Sequence, residues 1–203
     1  MDSNYIAFEG IDGCGKSTLA EKISSQLNQS GINNVLVREP GGTKVGEGIR
    51  NLLLSHEYVV SEFTEALLFA AQRSQLINEV VQPNIEKNIK IISDRSAYSS
   101  VAYQGVGRGL GYEKIYQLND IAINSIWPQK VILLDIDPNV ALKRQAIADR
   151  IGSDKIEFFE KVRDGYLEIA KKNSSNFLVL DGESSIEHNL TEINNWLNFD
   201  DTK

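Results

Sequence analysis

Apolar residues gather in short runs, Tyr5 to Phe8, Asn34 to Val37, Ile89 to Ser93, Val131 to Leu134 and Phe177 to Leu180, each four or five residues long. Most positions in them are β-branched or aliphatic. Such short runs suit strands buried on both faces. Longer stretches of helical period lie between them. From Phe63 to Ile77 the residues Ala66, Leu67, Ala70, Ala71 and Ile77 keep the spacing of one helix face. Asp137-Pro138 reads as an N-cap followed by proline at the first helical position. Ser184 with Glu187 has capping-box spacing. The glycine clusters at 41–42 and 105–111 read as loops. No repeat, low-complexity tract or Pro/Ser-rich linker breaks the alternation. It predicts one α/β domain over residues 1–203, a three-layer α/β/α fold around a five-stranded parallel sheet.

One stretch carries chemistry at once. Gly10-Ile-Asp-Gly-Cys-Gly15-Lys16-Ser17 fits G-x-x-x-x-G-K-[ST] without a gap, between a predicted strand and a predicted helix. Glycines let backbone N–H groups converge on a polyphosphate, and the helix N-terminus adds partial positive charge. Lys16 is expected to reach the β- and γ-phosphates, and Ser17 to offer its hydroxyl to Mg²⁺.

Composition narrows what such a loop serves. The chain has 203 residues, 41% of them hydrophobic, enough for one sizeable core. The net charge of -7 argues against a protein that coats nucleic acid, yet leaves room for a local basic pocket. A single cysteine precludes an internal disulfide and fits a reducing, cytoplasmic setting. No secretory leader and no membrane span are expected, because no apolar run approaches ~20 residues. The sequons at Asn28, Asn173 and Asn189 then read as chance.

A phosphate-binding loop specifies a nucleotide rather than a reaction. A guanine switch needs N-K-x-D after a late strand, and none occurs. Asp149-Arg-Ile-Gly152 matches D-x-x-G but follows the fourth predicted strand, so it reads as accidental. A motor or helicase would usually be longer. A small-molecule kinase needs a second anion site and a cover against water. Arginines supply the second site: Arg38 ends the second predicted strand, Arg50 and Arg73 lie in helical stretches, and Asp94-Arg95 follows the third strand directly. Ligands of a parallel sheet bind at strand carboxyl ends, so Glu39, Asp94 and Arg95 are expected to share the crevice of the loop. The planar fork of arginine suits phosphate oxygens. A solvated surface charge is the other reading for Arg50 and Arg73.

The runs FEGIDGCGKST at 8–18, REPGGT at 38–43, LLFAAQR at 67–73 and DRSAYSSVAYQG at 94–105 together resemble the bacterial thymidylate kinase family. LKRQ at 142–145 and YLEIA at 166–170 are also similar, so the resemblance covers nearly the whole chain. It implies a P-loop kinase fold with a lid and transfer of the γ-phosphate of ATP to dTMP, with Mg²⁺ brought by ATP. It implies ATP contacts from Gly10, Gly13 and Gly15, from Ile11, Asp12 and Cys14, and from Lys16, Ser17 and Thr18. It places Phe69 on the thymine ring, Arg73, Ser100 and Gln104 on the base edge, and Arg50 and Arg95 on the dTMP phosphate. Tyr103 would lie against the sugar, and Glu39 and Ser99 near the acceptor. Asp12 and Asp94 would organise Mg²⁺, its waters or the acceptor end. Phe69 as plain core and Tyr103 as a packing tyrosine are the other readings of those aromatics.

The family draws a charge-stabilising arginine from the loop or from the lid. Positions 11–14 hold no basic residue, so the lid at about 142–156 is expected to supply it. Arg150 is the candidate, with Arg144 assisting or lying against adenine; Lys16, Asp12 and Arg95 complete the catalytic set. A charged helix face is the bland reading of that segment, and the family's lids are often longer and richer in arginine. Cys14 reads as a small tolerated residue, Trp127 as packing, and His56 and His188 lack ligand company. Homodimers are usual in the family. Two alternatives stay open: a deoxynucleoside or other monophosphate kinase of this fold, and a regulatory protein that keeps the loop without catalysis.

Overall fold

The strand Tyr5–Glu9 (β1) is buried along its whole length and forms the middle of the sheet. A computed structural model describes residues 4–144 and 150–197. After β1 come the helix Lys16–Gln29 (α1), the strand Asn34–Arg38 (β2), and the helices Lys44–Leu54 (α2) and Glu62–Leu76 (α3). A π-helical stretch Ile77–Val81 continues α3 into the short helix Gln82–Ile85 (α4), and β3 follows at Lys90–Asp94. The helix Ala97–Ser100 (α5) runs into a second π-helical stretch, Val101–Gly107, before α6 at Tyr112–Ala122. The chain closes with β4 (Lys130–Asp135), α7 (Pro138–Arg144), α8 (Ile156–Lys172), β5 (Phe177–Asp181) and α9 (Ile186–Leu197).

The described strands pair in the order β2-β3-β1-β4-β5, all parallel. This is the predicted five-stranded sheet with helices on both sides. Alternation along each strand assigns its side chains to opposite faces. Ile6, Phe8 and Ile92 pack with Ile23 and Leu27 of α1, while Tyr5 and Ile91 pack with Leu76, Ile77 and Val81. β1 lies between β3 and β4, and the chain leaves β1 toward the β2 edge but leaves β3 toward β4, in opposite directions across the sheet. The carboxyl ends of β1 and β3 are thus where a ligand crevice belongs in this topology.

Three local readings need correction. Leu67 and Ala71 on α3 are exposed, whereas Glu65, Gln72 and Arg73 are buried. The apolar stripe of Ala66, Ala70 and Ile77 is real, but polar side chains with partners on other elements widen it. The capping residue of α9 is Ser185: its Oγ accepts from the His188 N–H at 3.2 Å. Asp181 takes the amides of Glu183 and Ser184, so the helix starts one residue late. Finally, Gly105 and Gly107 belong to a π-helical stretch rather than a loop. A Cβ at Gly107 would sit 2.7 Å from Phe158 and Val162 of α8, and one at Gly165 would sit 3.0 Å from Val106. The two glycines bring α8 and the π-helical stretch into close contact.

That contact predicts that Gly165→Leu lowers stability by about 1–3 kcal/mol through overpacking. Urea unfolding followed by circular dichroism should show the midpoint falling. An unmoved midpoint would remove the contact from the account of the fold.

Candidate active site

The loop between β1 and α1 presses against other backbone. A Cβ at Gly10 (φ 138°) would stand 2.6 Å from the Leu134 carbonyl oxygen, and one at Gly13 (φ 87°) 2.2 Å from that of Ala141. Both positions therefore demand glycine. Gly15 precedes α1, whose N-terminus has no side-chain cap. Its first N–H groups are left for an anion. Ile11 and Cys14 turn into the core, so only their backbone is available to a nucleotide. Ser17 and Thr18 are exposed on the first turn of α1. Lys16 is buried and donates to Asp12 at 3.2 Å and to the Ile11 carbonyl at 3.5 Å. Burial opposes charge on Asp12, but Arg95 and Lys16 overcome it and hold its carboxyl well below the usual range. Burial likewise pushes the Cys14 thiol up, against the pull of Lys16.

Arg95 joins the loop to the rest of the site. It follows β3 with φ at 74°, in the left-handed region. Its Nη2 donates to Asp12 at 2.6 Å and to the Tyr103 hydroxyl at 3.3 Å. Its Nη1 donates to the Gly10 carbonyl and Ser99 Oγ, each at 3.1 Å, and to the Tyr166 hydroxyl at 3.3 Å. Beside it Ser17 Oγ donates to Asp94 Oδ2 at 2.5 Å, and Asp94 Oδ1 is buried with no hydrogen-bond partner among the described residues.

One cavity of about 330 Å³ contains these groups and the expected acceptor side. Asp12, Lys16, Ser17, Asp94 and Arg95 line it. So do Glu39, Arg50, Phe69, Ser99, Ser100, Tyr103 and Gln104. Arg50 donates to the Pro40 carbonyl at 2.7 Å. Tyr103 lines the cavity and is also a packing residue, its ring edge-on to Phe158 and Tyr166. Trp127 packs on Tyr98 and Tyr116, as expected.

Of the loop residues expected to touch ATP, Gly10, Ile11, Gly13, Cys14, Gly15 and Thr18 do not line this cavity, and neither do the expected arginines Arg73, Arg144 and Arg150. Arg73 is 1% exposed and stands behind the wall. It donates to Glu39 at 2.5 Å, to Asn119, to Ser100 Oγ at 3.1 Å and to the Ser96 carbonyl at 3.2 Å. It reaches the cavity wall through Ser100 and Glu39. Burial pushes the Glu39 carboxyl up against the pull of Arg73, and Glu39 Oε1 is buried with no hydrogen-bond partner among the described residues. Arg144 ends α7 and donates to the Gly182 carbonyl at 2.9 Å. Arg150 donates to the Leu53 carbonyl and to Glu65, each at 2.7 Å, on the α2–α3 side. Residues 145–149 of the expected lid, including the Asp149 of D-x-x-G, lie outside the described residues.

Sequence reasoning missed the buried supports. Glu9 at the end of β1 is fully buried and accepts from the Ser96 amide at 2.8 Å and from Ser96 Oγ and Ser99 Oγ, both at 2.6 Å. The Tyr166 hydroxyl donates to it at 2.8 Å. Through Ser99 and Tyr166 it fixes two partners of Arg95. Its signal was present: a lone carboxylate at a strand carboxyl end. Glu65, Gln72, Arg108 and Asn119 gave no local signal, since their partners are remote in sequence.

A sequence model of the thymidylate kinase family matches residues 8–193. The chain belongs to that family. Thymidylate kinase of Kosmotoga olearia is 42% identical over 186 residues, 90% of this chain and 89% of that one. The Fervidobacterium nodosum thymidylate kinase is 44% identical over 191 residues, 93% of this chain and 95% of its own. The crystal structure of Ehrlichia chaffeensis thymidylate kinase superposes with a TM-score of 0.82 at 32% identity, covering 98% of this chain and all of that one. The activity is thymidylate kinase activity, ATP-dependent phosphorylation of dTMP, and a deoxynucleoside kinase is not favoured. No helix among the described residues is long and apolar enough to cross a membrane.

The burial and raised pKa of Cys14 predict slow alkylation. Iodoacetamide at pH 7.5 should label the native chain at least about a hundredfold more slowly than the urea-unfolded chain, read by mass spectrometry. Equal rates would contradict its placement.

Proposed function

We propose that dTMP occupies the cavity with thymine against Phe69 and its phosphate between Arg50 and Arg95, while the phosphates of ATP rest on the loop from Gly10 to Thr18. The observation that carries this reading is that a single cavity unites Lys16, Asp94 and Arg95 with Phe69, Ser100 and Gln104. A flat ring suits the flat base, and converging donors suit two phosphate groups. A dTMP phosphate oxygen then attacks the γ-phosphorus in line, and the bond to the bridging oxygen of ADP breaks. Lys16 neutralises charge on the transferred group, Asp12 and Arg95 fix each other, and no covalent intermediate forms. Arg73 acts on the base through Ser100, and Tyr103 flanks the sugar.

Ser17 Oγ and the partnerless Asp94 Oδ1 are hard oxygen donors that fit Mg²⁺, which keeps water and takes most of its ligands from phosphates. Ser17 and Asp94 would hold the ion, which would supply positive charge against the phosphates of ATP. Arg150 is the lid's contribution: its bonds to Leu53 and Glu65 dock residues 150–154 beside the acceptor. The chain works as one domain in the cytoplasm. A homodimer is proposed to cover the exposed apolar residues Leu52, Val59, Phe63 and Leu67 on α2, α3 and the segment between them.

ADP release with Mg-ATP over dTMP, dUMP, UMP, CMP, AMP, GMP and thymidine tests the reading. Turnover is expected to be fastest with dTMP. Faster turnover with thymidine would unseat Arg50 and Arg95 as acceptor-phosphate ligands, and no turnover with any acceptor would favour a regulatory protein. Lys16→Ala should cut kcat by at least about a hundredfold while calorimetry still shows dTMP binding. Arg150→Ala should lower kcat about tenfold or more with the KM for ATP little changed. A near-normal kcat would show that docking residues 150–154 is not needed for transfer and would leave Arg144 as the lid's candidate for charge stabilisation.

A further inference from the structure

Glu65 is buried on α3, 1% exposed, and does not line the cavity. Every side chain that bonds to it donates. Gln104 Nε2 reaches its Oε1 at 3.0 Å and Arg108 Nε the same oxygen at 3.2 Å, while Arg150 Nη2 reaches Oε2 at 2.7 Å. Arg108 is itself held by Asp154 at 2.7 Å and lies over the Phe158 ring.

The carboxylate only accepts, so Gln104 must turn its NH₂ group toward it. A half-turn of the amide would set two oxygens against each other with no proton between them. The two polar atoms of a carboxamide diverge. Gln104 lines the cavity with one N–H of its amide held by Glu65, which fixes the orientation of the amide and turns its carbonyl oxygen, an acceptor, away from Glu65.

We infer that Glu65 sets the specificity for the acceptor base by holding Gln104 as a hydrogen-bond acceptor, so that the site takes a pyrimidine with N3–H and rejects one with a bare N3. The inference rests on placing the dTMP base beside Phe69 and Gln104. Thymine N3–H donates to the fixed oxygen; cytosine N3 is an acceptor and meets it lone pair to lone pair. A site built to receive a donor leaves its own polar atom unpaired with the wrong base, and such sites discriminate strongly. Glu65 is thus a positioning residue: it touches neither nucleotide.

The test compares dTMP with 5-methyl-dCMP, which keeps the 5-methyl group, sugar and phosphate and changes only the hydrogen-bonding edge. The native enzyme should prefer dTMP by at least about 1,000-fold in kcat/KM. Glu65→Gln puts a group there that can donate or accept, and so releases the Gln104 amide. The preference should fall at least tenfold, chiefly through better use of 5-methyl-dCMP. Any effect of this variant on the Arg150 anchor falls on both acceptors and cancels in the ratio. Gln104→Met should also collapse the preference. An unchanged ratio in E65Q with a collapsed ratio in Q104M overturns the role of Glu65 and leaves the base placement standing. Unchanged ratios in both overturn the placement and the inference with it. If E65Q does not fold, the native ¹⁵N-labelled protein decides: the side-chain NH₂ of Gln104, assigned by its absence in Q104M, should exchange with water at least tenfold more slowly than exposed glutamines. Equal exchange overturns the inference.

Discussion

The ion pair between Arg95 and Asp12 is the contact on which the site depends. It ties the residue after β3 to the loop after β1, and so fixes the proposed acceptor side relative to the proposed ATP side. The left-handed backbone at Arg95 costs about 1–3 kcal/mol for a residue with a Cβ. Four side chains and the Gly10 carbonyl, on the loop, α5, the π-helical stretch and α8, accept from its guanidinium and offset that strain. Glu9 stands behind two of them. A carboxylate with no water around it is tolerable there because four donors satisfy it. The active centre is thus organised as layers: a cavity-facing arginine, hydroxyls around it, and a buried acid holding the hydroxyls.

The cavity is not an excess of bare positive charge. Lys16, Arg38, Arg50 and Arg95 line it, but so do Asp12, Glu21, Glu39 and Asp94. The cations already have partners: Asp12 for Lys16 and Arg95, Glu47 for Arg38, the Pro40 carbonyl for Arg50. A phosphate that enters exchanges partners instead of meeting free charges. Affinity should therefore depend less on ionic strength than four unpaired cations would require.

The sheet could be read from the sequence because each of its strands is a local apolar run, and parallel strands buried on both faces leave that mark. The loop could be read because its glycines answer to a backbone need within a few residues. Arg95 and Asp94 followed from their place at a strand end. The rest depends on distance. Glu9 meets Tyr166, and Glu65 meets Arg108 and Arg150, across spans that no local pattern records. Arg73 looked like a ligand because a helical arginine has no visible partner in sequence; the fold gives it Glu39, Ser100 and Asn119. Ser185 rather than Ser184 caps α9 because of a turn at Asp181, which the capping-box spacing does not record.

The central place of β1 bears on synthesis at the ribosome. Ile6 pairs with Ile92 on one side and with Lys130 on the other, so β1 has no neighbour in the sheet until many more residues have been made. At ordinary translation rates that is on the order of ten seconds during which an apolar strand and a glycine-rich loop have no sheet to join. The glycine-rich loop is made well before the strands that complete its side of the sheet. A nascent chain stalled before residue 130 would present β1 as a sticky edge, which makes this strand the natural place for a chaperone to take hold.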